Sequence, residues 1–388
     1  MKFAAMIVLV LGYCPWTLAQ DSILTGTERK ASLNGYVKVM QGLTIPRSPD
    51  TITSLILLHN RINLTVPIAS KLDARMEIRN RFFAGDVVQL QPDLARQLDT
   101  GTGLLHLSVR WLGSRGAILH SMVDRGYLRF RSVKWDIRVG RQRINWGISN
   151  TWNPNDLFNS WNPLDFDYEE RAGTDAVRLQ YRSGLNDSWE FAYRPGKEPD
   201  RHIAAALYKT NRNRFDLQFL AGLWERDWVM GTGWAGQLGT AGFKGECSVY
   251  QPRNTGNGSH AVLLLTLMLD RTFPDDWYGS LSFLYNSQPT GMAGPEVLLR
   301  PMLSAKELFP FRYSVYAAGQ KTFSPVTTMQ AGLIYSPERH FLILYPSFAW
   351  NAAESLDLDI TAQSFFNRDP TRFRMQATAV YVRMKYSF

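Results

Sequence analysis

The chain has only two cysteines, Cys14 and Cys247, in 388 residues. Two thiols cannot build a disulfide framework or a cysteine-rich zinc site. The six histidines show no metal-ligand spacing, and no glycine-rich phosphate loop stands between a strand and a helix. No metal or other cofactor is therefore expected. No block of like charge reaches the length of a disordered tail. Long apolar runs are missing too: beyond the first residues the longest is Ala261–Leu269, nine residues interrupted by Thr266. A membrane helix needs about 20. Against these absences stand 12 Trp, 16 Tyr and 21 Phe. In a soluble fold so many aromatics would need a large core built of solid apolar runs, which this chain lacks.

The first residues read as a secretory leader. Lys2 gives a short positive start, Phe3–Tyr13 are apolar, and Thr17-Leu18-Ala19 end small-x-small before Gln20. Cleavage is expected after Ala19, giving a leader over 1–19 and a mature domain over 20–388. The competing reading is a buried N-terminal helix or strand. Bulky Tyr13 ahead of Cys14 argues against lipidation. The mature chain would keep Cys247 as its one thiol, so an oxidising compartment carries no penalty.

Nine to eleven residues is the length of a tilted transmembrane β-strand, and alternation at that scale recurs. Val380, Val382, Met384, Tyr386 and Phe388 share one face, while Tyr381, Arg383, Lys385 and Ser387 share the other. Leu356, Leu358, Ile360 and Ala362 alternate with Asp357, Asp359, Thr361 and Gln363; Leu72, Ala74, Met76 and Ile78 alternate with Asp73, Arg75, Glu77 and Arg79. Charge at every second position suits a wall with lipid on one side and a wet lumen on the other. A soluble sandwich or propeller would account for strands and aromatics alone.

Short turns are expected at Ala69-Ser70, Ser132-Val133, Ser183–Asp187, Asn211–Asn213, Pro274–Asp276 and Asn351–Glu354. Long loops are expected at 85–105, 149–173 and 288–309, with a looser one at Pro252–Ser259. Short turns at one end and long loops at the other fit an outer-membrane barrel. Even parity, with three strands in Phe215–Gln251, gives an all-β fold: a single antiparallel barrel of about eighteen strands, with sixteen as the alternative count. About a dozen residues, Gln20–Ala31, precede the first strand, so no plug domain is expected.

Arginines crowd the first half. Arg75, Arg79, Arg125, Arg129, Arg131, Arg138, Arg141, Arg143 and Arg178 fall on neighbouring strands. Alternation turns Arg75, Arg79, Arg129, Arg131, Arg138 and Arg178 away from lipid, where an arginine at mid-depth would cost about 2–4 kcal/mol. Gly140 interrupts the pattern and leaves the facing of Arg141 and Arg143 open. The 149–173 loop repeats Trp152-Asn153-Pro154-Asn155-Asp156 as Trp161-Asn162-Pro163-Leu164-Asp165, and Asn-Pro pairs start turns. Asp156, Asp165, Asp167, Glu169, Glu170 and Asp175 make it acidic. Folded inward against the arginines it would act either as a charge-sorting constriction or as a rigid plug.

The segment VGRQRINWG (Val139–Gly147), the Asn-Pro-x-Asp loop and the returning RAGTDAVRLQY strand resemble the alginate-export-porin-like outer-membrane barrels and their Bacteroidetes-type relatives. LGTAGFKGE (Leu238–Glu246) fits the same pattern more weakly. The resemblance covers about 60 residues near Asp124–Tyr181. It implies a barrel family without fixing the cargo.

Net charge is +9, spread through strands rather than gathered into the single patch that a nucleic-acid protein presents. A basic lumen concentrates anions. The expectation is a monomeric, non-enzymatic, Gram-negative outer-membrane channel for small polar or anionic solutes, acidic saccharides being one candidate class. The alternatives are a plugged barrel that docks a secretion or surface assembly, and a channel for hydrophobic compounds. Its surroundings would be outer-membrane lipid, and the barrel-assembly machinery would read Tyr386 and Phe388 as an assembly signal. His106 and Ser108, two residues apart, lack a third orienting group for nucleophilic catalysis; Leu104–Leu112 could form a loop helix. Intact-mass measurement of the exported protein should place the mature N-terminus at Gln20, and retention of residues 1–19 would remove the leader.

Overall fold

The computed structural model describes residues 30–47, 52–99, 103–159, 173–198, 200–254, 260–290, 304–369 and 372–388. The expected leader lies outside them. The first strands are β1 (Ser32–Pro46), β2 (Thr53–Ala69), β3 (Leu72–Ala84), β4 (Ser108–Gly113), β5 (Ala117–Arg131), β6 (Trp135–Gln142) and β7 (Thr174–Arg182). There follow β8 (Ser188–Arg194), β9 (Ile203–Arg212), β10 (Phe215–Trp224), β11 (Asp227–Leu238), β12 (Ala241–Pro252) and β13 (Val262–Phe273). The last are β14 (Trp277–Asn286), β15 (Tyr313–Ser324), β16 (Thr327–Ser336), β17 (Phe341–Ala353), β18 (Leu356–Asp369) and β19 (Arg372–Ser387). Helices α1 (Asp86–Leu90) and α2 (Leu94–Asp99) stand between β3 and β4.

All strands join one antiparallel sheet, and β19 pairs back onto β1. Because β3 pairs directly with β5, the closed ring has eighteen strands, and β4 is an extra strand beside the upper half of β5. Closure follows from the solvent: in hydrocarbon an unpaired backbone group costs several kcal/mol, and only a closed sheet leaves no edge. β4 replaces the loop helix that Leu104–Leu112 allowed. Its residues carry β-branched and aromatic side chains, Val109 and Trp111 among them, and the Ser114–Gly116 turn folds it back on β5.

The two ends differ as expected. On the side of the chain termini the connections are turns such as Asn213-Arg214, where φ values of 52° and 66° give the two-residue hairpin geometry that matches strand twist. Several turns fall one or two residues later than the sequence suggested. The Asn211–Asn213 turn lies at Asn213-Arg214 and the Asn351–Glu354 turn at Glu354-Ser355, because pairing of the flanking strands extends into the polar residues. Phe215–Gln251 holds three strands, turning at Glu225-Arg226 and Gly239-Thr240.

Outward positions form an apolar belt in which Leu128, Val139, Ile360, Val382 and Met384 are about half exposed. Trp135, Trp189, Trp277 and Tyr386 ring it at the turn end; Tyr193, Trp228, Tyr313 and Phe373 ring it at the loop end. Such girdles sit at the two membrane interfaces. Inside, part of the lumen holds a packed core. Residues of the β6–β7 connection (Ile144, Trp146, Trp152, Leu157, Phe158) and of the β14–β15 connection (Leu308, Phe309, Phe311) are buried with Leu207, Leu220, Tyr250, Leu264 and Phe341 from the wall. A second cluster seats α1 and α2 through Val88 and Ala95 against Met40, Leu57, Phe83 and Ile118. This inner core explains why the aromatics are so many and the apolar runs so short.

At the closing seam Phe388 N–H donates to Gly35 O at 3.0 Å, and Gly35 N–H donates to Phe388 O at 2.9 Å. Deleting Phe388 removes both bonds, each worth roughly 0.5–1.5 kcal/mol, and one girdle aromatic. The expected result is a marked fall in heat-modifiable, folded barrel in outer-membrane fractions; wild-type levels would contradict it.

Candidate functional site

Register decides where the arginines go. On β3 the odd positions 73–83 face inward, and β5 carries Arg125, Arg129 and Arg131 inward opposite Glu77, Asp73 and the adjoining turn. A bulge between Val123 and Arg125 leaves Asp124 fully buried. Arg138 on β6 and Arg178 on β7 lie directly opposite one another. Arg75, Arg79, Arg129, Arg131, Arg138 and Arg178 thus share the inner face of four neighbouring strands.

They are held by carboxylates. Arg129 Nε donates to Asp136 at 2.9 Å and Arg138 Nε to the same carboxylate at 3.0 Å. Arg131 reaches Asp73 at 2.8 Å, and Arg178 Nε donates to Glu190 at 2.6 Å. Deeper in the wall, Arg61 pairs with Glu77 and lies 2.8 Å from Asp124, while Arg75 lies 2.5 Å from Glu77. Arg79 is 3.7 Å from Asp124. Glu77, Asp124 and Asp136 each serve more than one guanidinium, so cations outnumber anions among the described residues of this face. Arg75 and Arg131 remain 41% and 45% exposed, against 1% for Arg61, so the first two meet lumenal water and the last is wall structure.

Arg141 is not among the lumen-lining residues. Its strand parity is that of Val139, and Gly140 before it adopts φ 122°. The guanidinium lies buried in a seam where β6 leaves the wall and β4 takes its place. There it donates to Asp175 at 2.7 Å, Val123 O at 3.2 Å and Leu105 O at 2.6 Å, and Asp175 accepts the Leu105 N–H at 2.9 Å. Asp175 accordingly belongs to β7 rather than to the acidic loop. Arg143 lies just past β6, half-buried.

The described part of the inserted connection, 143–159, turns into the barrel and lies on the β8–β13 wall, away from most of the arginines. Trp146 Nε1 donates to Glu190 at 2.5 Å, and Gln218 Nε2 donates to Trp146 O at 2.8 Å. Trp224 Nε1 donates to Leu157 O at 3.1 Å, and Asn155 Nδ2 donates to Thr232 O at 3.0 Å. Trp152, Asn153 and Asp156 are buried in it. Trp161, Asn162, Asp165, Asp167, Glu169 and Glu170 lie outside the described residues. The sequence reading missed Lys38, Arg61, Asp124, Glu190 and Glu246, all inward and at most 3% exposed. Their signal was a lone charge at an inward position within an alternating strand, visible only once the register of each strand is known.

No protein-family model and no curated protein matches the chain. Solved structures do: it is similar to OpdQ of Pseudomonas aeruginosa at a TM-score of 0.61 and 7% identity, covering 93% of this chain and 99% of that one. OccK9 (OpdG) of the same organism gives 0.61 and 11%, covering 92% and 98%. The outer membrane protein OpdK, also from that organism, gives 0.58 and 7%, covering 92% and 99%. The fold is therefore that of a Gram-negative outer-membrane, porin-like barrel. These structures are Occ and Opd barrels, so the likeness supports a porin-like barrel but not the alginate-export-porin-like family that the 124–181 segment resembles. That resemblance rests on one local segment, whereas the structural likeness covers more than nine-tenths of the chain.

Replacing Arg61 by Ala would leave Glu77 and Asp124 buried with less compensation, a change that costs about 3–5 kcal/mol. Urea titration of the barrel in lipid vesicles should show a clearly lowered midpoint for R61A; an unchanged midpoint would contradict the wall role.

Proposed function

We propose that the protein is a porin-like channel that passes small polar or anionic solutes across the outer membrane, acidic saccharides being one candidate class. The observation that carries this is the exposed excess of guanidinium groups, led by Arg75 and Arg131, on an inner face that the described part of the inserted segment, 143–159, leaves uncovered. Ion pairs fix the arginines in position, and their unbalanced charge concentrates anions in a narrow low-dielectric space. Trp152, Asn153, Asp156 and the described residues beside them would narrow the path by filling the opposite side. No catalytic role is assigned to His106 or Ser108, and the chain acts as a channel rather than an enzyme. We place residues 1–19 as a cleaved leader and the working unit as a monomer, with barrel-assembly machinery engaging the last strand.

A second reading has one observation in its favour. Lys38, Arg61, His120 and Asp124 are inward yet fully buried, which suits a closed barrel acting as a docking or structural component.

Planar-bilayer recording under a salt gradient separates the two. Steady conductance with a reversal potential on the anion side is expected, and the R138A/R178A double variant should lose several-fold in anion preference. A folded but silent barrel would favour the docking reading; unchanged selectivity in the variant would remove these two arginines from the path.

A further inference from the structure

Glu246 faces inward from β12 and is fully buried beneath the inserted segment. Its carboxylate accepts three backbone N–H groups of that segment. Ile148 and Ser149 donate to Oε1 at 2.5 and 2.7 Å, and Asn155 donates to Oε2 at 3.0 Å. Hydrogen bonds to an ionised acceptor are roughly twice as strong as neutral ones, and backbone N–H groups converging on one anion form a nest that also orders the backbone donating them. Apart from the Trp146 Nε1 bond to Glu190, wall contacts of the segment such as Gln218 Nε2 to Trp146 O and Thr266 Oγ1 to Trp152 O are single bonds between neutral groups. A buried carboxylate is costly unless its lone pairs are filled, and here the loop backbone fills them. The cost and its compensation tie one charge on the wall to one conformation of the loop.

We propose that Glu246 is the positioning residue that holds the 144–159 segment on the β8–β13 wall and so keeps the arginine-lined side of the lumen clear. The part that concerns passage rests on the channel reading above. An amide at this position keeps an acceptor for Ile148 and Ser149 but turns its NH2 toward the Asn155 N–H, donor against donor. The segment then leaves the wall and enters the free side of the lumen, where it interrupts flow.

The test compares wild type with E246Q, both confirmed as folded by heat-modifiable migration. Hydrogen exchange read by mass spectrometry should be at least tenfold faster across 144–159 in E246Q, and bilayer recordings should show frequent brief closures where wild type stays open. Wild-type exchange rates in folded E246Q would overturn the proposal. Faster exchange with unchanged steady current would overturn its claim on passage. Where wild type itself is silent the channel reading fails, and exchange alone decides the positioning role. Should E246Q not fold, wild type decides: the Ile148, Ser149 and Asn155 amides should be as protected as strand amides, and exchange at the rate of the Pro274–Asp276 turn would refute the nest.

Discussion

Hydrocarbon cannot hydrogen-bond, and that single constraint shapes this molecule. Every backbone N–H and C=O within the membrane must find a partner in the sheet, so the sheet has no edge there and β19 returns to β1. Once the ring is closed, each strand has one face for lipid and one for the lumen. The alternation of apolar and charged residues follows, as does the cost that keeps arginine off the outer face. The place where a wall strand ends early shows the same constraint. Where β6 stops at Gln142, β4 continues alongside β5, and Arg141 with Asp175 satisfies backbone groups of Val123 and Leu105.

The lumen is divided by chemistry. One sector, β1 to β7 with β18 and β19, is lined beyond the α1–α2 cluster by ion pairs in which cations are in excess, Arg383 and Asp359 at 2.7 Å among them. The other, β8 to β17, is covered by connections that fold inside and pack as a soluble core does, with Trp146, Trp152, Phe309 and Phe341 buried together. Polar wall groups anchor those connections, Glu190 and Gln218 by one bond each and Glu246 by accepting three backbone N–H groups. The lumen therefore has one basic side and one side built from folded chain.

Much of the barrel was legible because period two survives in any strand that separates lipid from water. The pattern in Leu356–Gln363 and Val380–Phe388 gave both the strands and their facing. The turn at Gly239 likewise fixed three strands in Phe215–Gln251. The strand β4 was harder to read: six residues long and following a connection, it shows too short an alternation to separate from a helix. The facing of Arg141 hung on Gly140, whose φ of 122° is a property of the fold rather than of local composition. The inner core was the least legible part. Leu207, Tyr250 and Leu264 look like ordinary inward positions until two connections distant in sequence are brought onto them. The acidic loop reads from its charge as a partner for arginine. Its described half instead binds through tryptophans and backbone, because apolar surface in a wet lumen gains more from burial than an already paired guanidinium gains from another carboxylate.

The account stands on the division of the lumen, among the described residues, into an uncovered basic side and a covered apolar side. Substituted-cysteine accessibility in a C247S background tests it most directly, with a charged, membrane-impermeant thiol reagent applied to the folded barrel. Cysteine at Arg131 should react rapidly, and cysteine at Leu220, beneath the inserted segment, should react at least a hundredfold more slowly. Equal rates at the two positions would mean that the segment does not cover its wall, and the division would have to be abandoned.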